Sequence, residues 1–108
     1  MTATQTNGIV TLAIDAGSAL SAVGSAALVQ SALETLLVAH TAGTTFVALT
    51  AMCTHEACTV TGFQNQTYVC PCHGSEFDTT GRVLKGPAPA ALRRLQTQFA
   101  NAVLSITT

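Results

Sequence analysis

Short apolar runs alternate with turn residues along most of the chain. Six such runs are rich in β-branched and aromatic residues and are bounded by residues that favour turns. They are GIVTLAI (8–14), TLLVAHT (35–41), TTFVALTAM (44–52), TYVC (67–70), LQTQFA (95–100) and AVLSI (102–106). This pattern predicts an all-β fold, with one hairpin turn at Ala42-Gly43 and another turn in DTTG, residues 78–81.

The uncharged stretch 16–33 raises the question of a membrane segment. It consists mostly of Ala, Gly and Ser and contains Gln30. This composition is less apolar than that of a membrane-spanning helix. We therefore expect a buried strand pair here and no membrane segment in the chain. A helix over 19–37 is the alternative, because apolar residues there roughly follow a 3.6-residue period, although Gly24 disfavours it.

Length and charge limit the possible functions. A chain of 108 residues without a repeat or a linker is the size of one domain, so we expect a single domain over 1–108. Four basic residues nearly cancel five acidic ones, and no basic patch is present to hold phosphates. Nucleic acid is therefore not expected as a partner.

No basic region followed by an apolar run marks an export signal at the N-terminus. The protein either stays in the cytoplasm or is a form whose signal or anchor was removed and replaced by Met1.

Two short motifs concentrate the reactive side chains. CTHEAC (53–58) and CPCH (70–73) hold all four cysteines and two of the three histidines within 21 residues. Two disulfides with incidental histidines would leave the histidines unexplained. A structural zinc site commonly uses C-x2-C pairs, which are absent here. A catalytic cysteine–histidine pair would need only one of the two motifs.

A [2Fe-2S] cluster would use both motifs symmetrically. Each motif would supply one thiolate and one imidazole, the thiolates holding one iron and the imidazoles the other. The ligands would be Cys53, His55, Cys70 and His73. Cys58 and Cys72 would remain, one in each motif, and could form a disulfide between the motifs.

Together, CTHEAC and CPCHGSEFD resemble the paired motifs of Rieske iron–sulfur proteins, in the disulfide-containing branch of cytochrome bc-type and stand-alone members. GRVLKGPAPAAL (81–92) resembles the proline loop that covers the cluster in that branch. The resemblance implies the Rieske fold, stacked antiparallel sheets with a small cluster-binding subdomain at about 51–90. It also implies one [2Fe-2S] cluster per chain, exposed histidine ligands and a serine, Ser75, whose hydroxyl donates to a cluster sulfur.

Charge counting gives the chemistry that this centre would perform. Two ferric ions, two sulfides and two thiolates sum to zero, whereas four thiolates would leave a charge of minus two. A neutral centre accepts an electron more easily, which places such centres at about −150 to +300 mV, against roughly −400 mV for plant-type ferredoxins. We expect one-electron transfer, without catalysis by this chain alone. Phe77 replaces a tyrosine that many high-potential relatives use as a hydrogen-bond donor to a ligand cysteine, which implies a potential below the top of the range.

The expected partner is a redox protein, such as a cytochrome or a dehydrogenase subunit. Glu56-Ala57 stands where quinol-oxidising relatives typically carry Leu-Gly, and an unpaired carboxylate is poorly suited to an apolar quinol pocket. A stand-alone carrier, or the Rieske subunit of an extracytoplasmic oxidoreductase, is therefore preferred. The alternatives are an anchor-trimmed subunit of a quinol-oxidising bc complex and a ferredoxin that feeds an oxygenase. A disulfide between Cys58 and Cys72 predicts a periplasmic or other extracytoplasmic location.

Three further residues have structural interpretations. His40 lies in an apolar strand apart from both motifs, which favours a surface histidine or a hydrogen-bonded core histidine over a metal ligand. Tyr68 and Phe63 are expected in the core.

Overall fold

The computed structural model describes residues 3–14, 17–18, 20–31, 35–51, 60, 62–64, 66–71, 74–85 and 91–108. Within these ranges the chain forms strands and no helix, which confirms the all-β prediction. The strands are β1 (Thr4–Thr6), β2 (Ile9–Ala13), β3 (Ala26–Gln30), β4 (Thr35–Ala42), β5 (Thr45–Thr50), β6 (Gly62–Gln64), β7 (Thr67–Val69), β8 (Glu76–Asp78), β9 (Val83–Lys85), β10 (Arg94–Ala100) and β11 (Val103–Thr107). No segment of the described chain forms a helix long and apolar enough to cross a membrane.

The strands form two antiparallel sheets. The larger has seven strands in the order β1-β2-β11-β10-β5-β4-β3, and the smaller has four in the order β6-β7-β8-β9. Strand β10 joins the two halves of the larger sheet. Its residues Arg94 and Leu95 pair with β5, whereas the residues from Gln96 onward pair with β11.

Two buried cores lie on opposite faces of β4 and β5. Core 1 comprises Val10, Leu12, Ile14, Leu20, Val29, Leu36, Val38, Phe46, Ala48, Leu95, Leu104 and Ile106. Core 2 comprises Leu37, Val47, Leu49, Ala51, Val60, Tyr68, Cys70, Phe77 and Leu92. Successive residues of β4 and β5 enter the two cores alternately, as the period of two in a strand requires. Both faces of these strands are covered, which explains their continuous apolar sequences.

The small sheet lies in the chain between β5 and β10, which are neighbours in the large sheet. The Thr50 N–H donates to the Arg93 carbonyl at 3.0 Å, and Leu49 pairs with Arg94. The chain therefore leaves the large sheet and returns to it at adjacent positions.

All six predicted strands are present, with boundaries shifted by up to two residues. The helix alternative over 19–37 is wrong, because that range contains β3 and the start of β4. The strand pair expected over 16–33 is only partly right, since its described residues form one strand, β3. The turn at 78–81 is confirmed by a bond from the Gly81 N–H to the Asp78 carbonyl at 3.0 Å. The hairpin turn between β4 and β5 is also present.

Candidate functional site

The described residues that flank the first motif, Ala51 and Val60, are held together in core 2. Residues 52–59 lie outside the described part of the chain, but Ala51 and Val60 on either side of them are described and buried. The Val60 N–H donates to the Ala51 carbonyl. The chain therefore enters and leaves the segment that contains the first motif at two neighbouring buried residues.

The second motif forms the connection between β7 and β8. The Cys70 N–H donates to the Ser75 carbonyl at 2.8 Å, and the Gly74 N–H donates to the Cys70 carbonyl at 3.0 Å. Gly74 has a φ of 75°, a conformation that residues with a Cβ rarely adopt. A Cβ at this position would meet no atom within 4 Å, so the backbone conformation, and not crowding, accounts for the glycine.

Cys70 is the predicted ligand that the structure describes. Its side chain is buried in core 2, and it is a free cysteine. Ser75 beside it is also fully buried. Cys53, His55, Cys58, Cys72 and His73 lie outside the described residues, as do Glu56 and Ala57. Among the residues that are described, no three His, Cys, Asp or Glu side chains come together as a metal site.

The proline loop starts and ends beside the same core. Residues 86–90 are not described, but Leu92 that follows them is buried in core 2. The Leu92 N–H donates to the Gly81 carbonyl at 2.8 Å. Gly81 has a φ of 94°, and a Cβ on it would lie 3.0 Å from both Leu49 Cδ2 and the Leu92 carbonyl oxygen. Glycine is thus required where the turn after β8 packs against the returning chain.

Asp78 organises that turn. Its Oδ1 accepts hydrogen bonds from the Thr80 N–H at 2.9 Å, the Thr80 hydroxyl at 2.6 Å and the Arg82 N–H at 3.0 Å. Burial raises the pKa of Asp78, but these bonds and the positive charge of Arg82 outweigh it, so the pKa lies below its usual value. The ionised carboxylate is therefore the form that holds the turn.

Tyr68 lies beside Phe77 on the inner face of the small sheet, where the two residues are register partners. Its side chain is 1% exposed, and its hydroxyl has no hydrogen-bond partner among the described residues. Burial raises the pKa of Tyr68, so the hydroxyl keeps its proton. The prediction that Tyr68 is a core residue is confirmed, whereas Phe63 is 37% exposed, so its prediction is wrong. Phe63 lies on the edge strand β6, and its ring packs against Tyr68 with centroids 5.1 Å apart.

His40 is a hydrogen-bonded core histidine, which is one of the two environments predicted for it. Its Nδ1 lies 2.8 Å from the Leu20 carbonyl oxygen and its Nε2 lies 2.9 Å from the Gly43 carbonyl oxygen. The ring is only 6% exposed. Sequence reasoning identified the type of environment but not these two contacts, because no signal in the sequence places Leu20 beside His40.

The described parts of the site fit an iron–sulfur centre. A free, buried cysteine is a soft ligand kept from water, and Ala51 and Val60, which flank the first motif, belong to the same core as Cys70. The arrangement defines a small all-β domain with an inserted sheet and a buried free cysteine next to β7. The sequence matches the Rieske [2Fe-2S] domain family over residues 14–97, and the chain belongs to that family. It therefore carries one [2Fe-2S] cluster per chain and performs Rieske-type electron transfer.

The similar curated proteins match only part of their length. The cytochrome b6-f complex iron-sulfur subunit of Trichodesmium erythraeum is 52% identical over 46 residues, which cover 41% of this chain and 25% of that protein. The subunit of the same name from Cyanothece is 46% identical over 54 residues, covering 49% and 29%. The matched segments thus span about a quarter of the length of these relatives.

A similar solved structure spans most of the chain. The plasma membrane Rieske protein PetC3 of the cyanobacterium Synechocystis superposes with a TM-score of 0.68 at 32% identity, covering 77% of this chain and 86% of that one. A complex of the oxygenase and ferredoxin of carbazole 1,9a-dioxygenase gives a TM-score of 0.67 at 22% identity, covering 90% and 92%. The second likeness shows the shared fold alone.

Proposed function

We propose that the chain is a single Rieske domain over 1–108 that transfers one electron at a time between protein partners outside the cytoplasm, with its cluster-binding subdomain at about 51–90. The observation that supports this proposal is the position of the residues around the two motifs. Ala51 and Val60, which flank the first motif, and Cys70 of the second all belong to core 2. The segment that carries the first motif is thereby attached to the same core as Cys70.

The proposed ligands are Cys53 and Cys70 for one iron and His55 and His73 for the other. Cys70 would bind from the base of the β7–β8 connection, where burial keeps its sulfur from water. The Gly74 turn redirects the chain immediately after the second motif, and Ser75 would donate its hydroxyl toward the cluster. The cluster, when bound, accepts and releases one electron without a bond to a substrate.

The proposed partner is a cytochrome or another redox subunit. The similar curated proteins are named as subunits of the cytochrome b6-f complex, which supports membership in a complex with cytochromes. The same names favour the second candidate, a subunit of a quinol-oxidising bc-type complex. Glu56 argues against a quinol donor, because a carboxylate at the exposed tip of the cluster-binding subdomain would lose its hydration in an apolar quinol pocket. Replacing Glu56-Ala57 with Leu-Gly should increase the rate with a quinol donor if that carboxylate is the obstacle.

Electron paramagnetic resonance of the reduced protein tests the ligand set. We expect His73→Ala or His55→Ala to abolish the Rieske signal, because each change removes an imidazole from the iron. His40→Gln is the matched control and should retain the signal, since both ring nitrogens of His40 face backbone carbonyls. An undiminished signal in His73→Ala would disprove the assignment.

Thiol mapping tests the disulfide and the location. A bond between Cys58 and Cys72 would close a loop of about 15 residues and stabilise the fold by roughly 3 kcal/mol in the chain-entropy model. Such bonds persist outside the cytoplasm. After cluster removal under denaturing conditions, alkylation should label Cys53 and Cys70 but not this pair. Two free thiols at 58 and 72, in protein taken from its native compartment, would support a cytoplasmic carrier instead.

A further inference from the structure

His40 makes contacts that a neutral imidazole cannot satisfy. Both ring nitrogens face carbonyl oxygens, Nδ1 that of Leu20 and Nε2 that of Gly43, at 2.8 and 2.9 Å. Neutral imidazole has one N–H and one bare nitrogen, whereas the imidazolium ion has two N–H groups. In the neutral form one lone pair would therefore point at a carbonyl lone pair across a hydrogen-bond distance.

The stacking of the His40 ring on Phe46 also favours the imidazolium form. His40 and Phe46 lie nearly parallel, with an interplanar angle of 17° and centroids 4.2 Å apart. A cation over an aromatic face is attracted by the negative charge density of that face. The two carbonyls and the phenyl ring thus all favour the doubly protonated ring, at a position that is 6% exposed.

These contacts attach segment 20–25 to the rest of the fold. The His40 ring joins Leu20 to the turn at Gly43, while the backbone of His40 exchanges hydrogen bonds with Gly24 and Ser25. On its other side, the segment meets the small sheet, because the Gln66 side-chain amide donates to the Gly24 carbonyl at 2.9 Å. Segment 20–25 therefore bridges the β4–β5 hairpin and the turn between β6 and β7.

The described surroundings of the ring contain no competing charge. Segment 20–25, strand β3, the turn 41–44 and strand β5 consist of apolar, hydroxyl, amide and glycine residues only. Phe99 of β10, which packs on Phe46, is also uncharged, and Arg94 at the start of that strand pairs instead with Leu49. Arg94 apart, His40 is the one ionisable side chain among these described elements.

We propose that His40 is a proton-operated latch: the imidazolium form ties segment 20–25 to the β4–β5 hairpin, and loss of one proton loosens the segment, including its contact with the small sheet. Because the attached state binds more protons than the loosened one, attachment is stronger at lower pH. The latch does not depend on the proposed electron partner or on the ligand set.

Amide hydrogen exchange on the cluster-loaded protein tests the latch. Protection of the Gly24 N–H is compared at about pH 5.5 and pH 8, after correction for intrinsic exchange rates, in the wild type and in His40→Gln. Glutamine can donate to one carbonyl but does not titrate, and it leaves the proposed cluster ligands unchanged. We expect protection in the wild type to fall roughly tenfold at the higher pH, the loss expected of one hydrogen bond from a charged donor. His40→Gln should show no such change, and amides of the β2–β11 pair should be unchanged in both proteins.

An equal pH dependence in both proteins, or none in the wild type, overturns the proposal. If His40→Gln does not fold, nitrogen NMR of the His40 ring in the wild type decides. Two protonated ring nitrogens at pH 5.5 and one at pH 8 support the latch. A ring with one bare nitrogen throughout, or with both protons throughout, contradicts it.

Discussion

Removing the Tyr68 hydroxyl should stabilise the protein. This group is buried in core 2, and none of the described residues provides a hydrogen bond that would replace the hydration it loses on folding. An unpaired buried polar group costs about 1–3 kcal/mol. The ring itself stays in Tyr68→Phe and keeps its packing against Phe63 and Phe77, so the loss is confined to the contacts of one oxygen atom. We expect a net gain of about 1 kcal/mol, or about 4–8 °C in the unfolding temperature of a domain this size.

Alkaline pH provides a second, independent expectation. Burial raises the pKa of Tyr68 in the folded state, whereas the unfolded chain has the ordinary tyrosine value near 10. Above about pH 10 the unfolded state therefore releases its proton first, and the free energy of unfolding falls as pH rises. The slope approaches about 1.4 kcal/mol per pH unit, and Tyr68→Phe should lack this component. The stability advantage of the variant should consequently grow with pH in that range.

Thermal unfolding of the cluster-loaded protein, followed by circular dichroism and by loss of visible absorbance, measures both effects. Thr97→Val is the matched control, because the Thr97 hydroxyl donates to the Phe46 carbonyl at 2.9 Å. This variant should lose stability by about 1 kcal/mol at every pH. A drop in the unfolding temperature of Tyr68→Phe comparable to that of the control would refute the reasoning, because it would show that the hydroxyl has a partner in the assembled protein.

Three other substitutions test the site. Phe77→Tyr should raise the reduction potential by roughly 40 mV if the new hydroxyl donates to a ligand sulfur and about 1 kcal/mol of that bond is specific to the reduced state. Voltammetry that shows an unchanged or lower potential, in a variant that keeps its cluster, contradicts that account. Asp78→Asn should lower the free energy of unfolding by about 1 kcal/mol near neutral pH. The pKa of Asp78 is lowered in the folded state, so its carboxylate stabilises the fold above about pH 4, and this stabilisation is lost as pH falls below that value. Equal unfolding temperatures at pH 7 would contradict it. Gly81→Ala should lower the unfolding temperature by several degrees, because its Cβ would crowd Leu49 and the Leu92 carbonyl; an unchanged value would show that the turn can shift.

The sequence predicted the long strands well and the short ones poorly. Strands β4 and β5 stand out because both of their faces are buried, which leaves a continuous apolar run. Strands β1, β6, β8 and β9 have three residues each, too few for a period of two to be recognised. Glu76 and Lys85 also make β8 and β9 polar; they are register partners across the small sheet, which no local pattern reveals. Their pairing depends on the tertiary fold.

The candidate site shows a similar division. Motif spacing predicts Cys70 as a ligand, and the structure describes it as a free cysteine buried in core 2. The unpartnered hydroxyl of Tyr68 and the two carbonyls around His40 could not be predicted, since each depends on segments far apart in the chain. Phe63 was misplaced for the same reason. Its hydrophobicity is that of a core residue, but it lies on an edge strand with part of its ring in solvent.

The chain leaves the large sheet at Thr50 and returns at Arg93, one hydrogen bond away, so the segment between them, which carries both motifs, is an insertion, here called the cassette. An inserted unit whose two ends lie one hydrogen bond apart fits into any antiparallel strand pair without stretching its host, much as domain insertions succeed where chain ends are close together. The large sheet would then need a short β5–β10 hairpin to close its gap and new cover for Leu37, Val47 and Leu49, which face core 2. In the other direction, the cassette could be grafted onto an unrelated sheet as an electron relay. Glu56, proposed to affect docking, and Phe77, proposed to affect the potential, both lie in the cassette, so exchanging it would change both properties together.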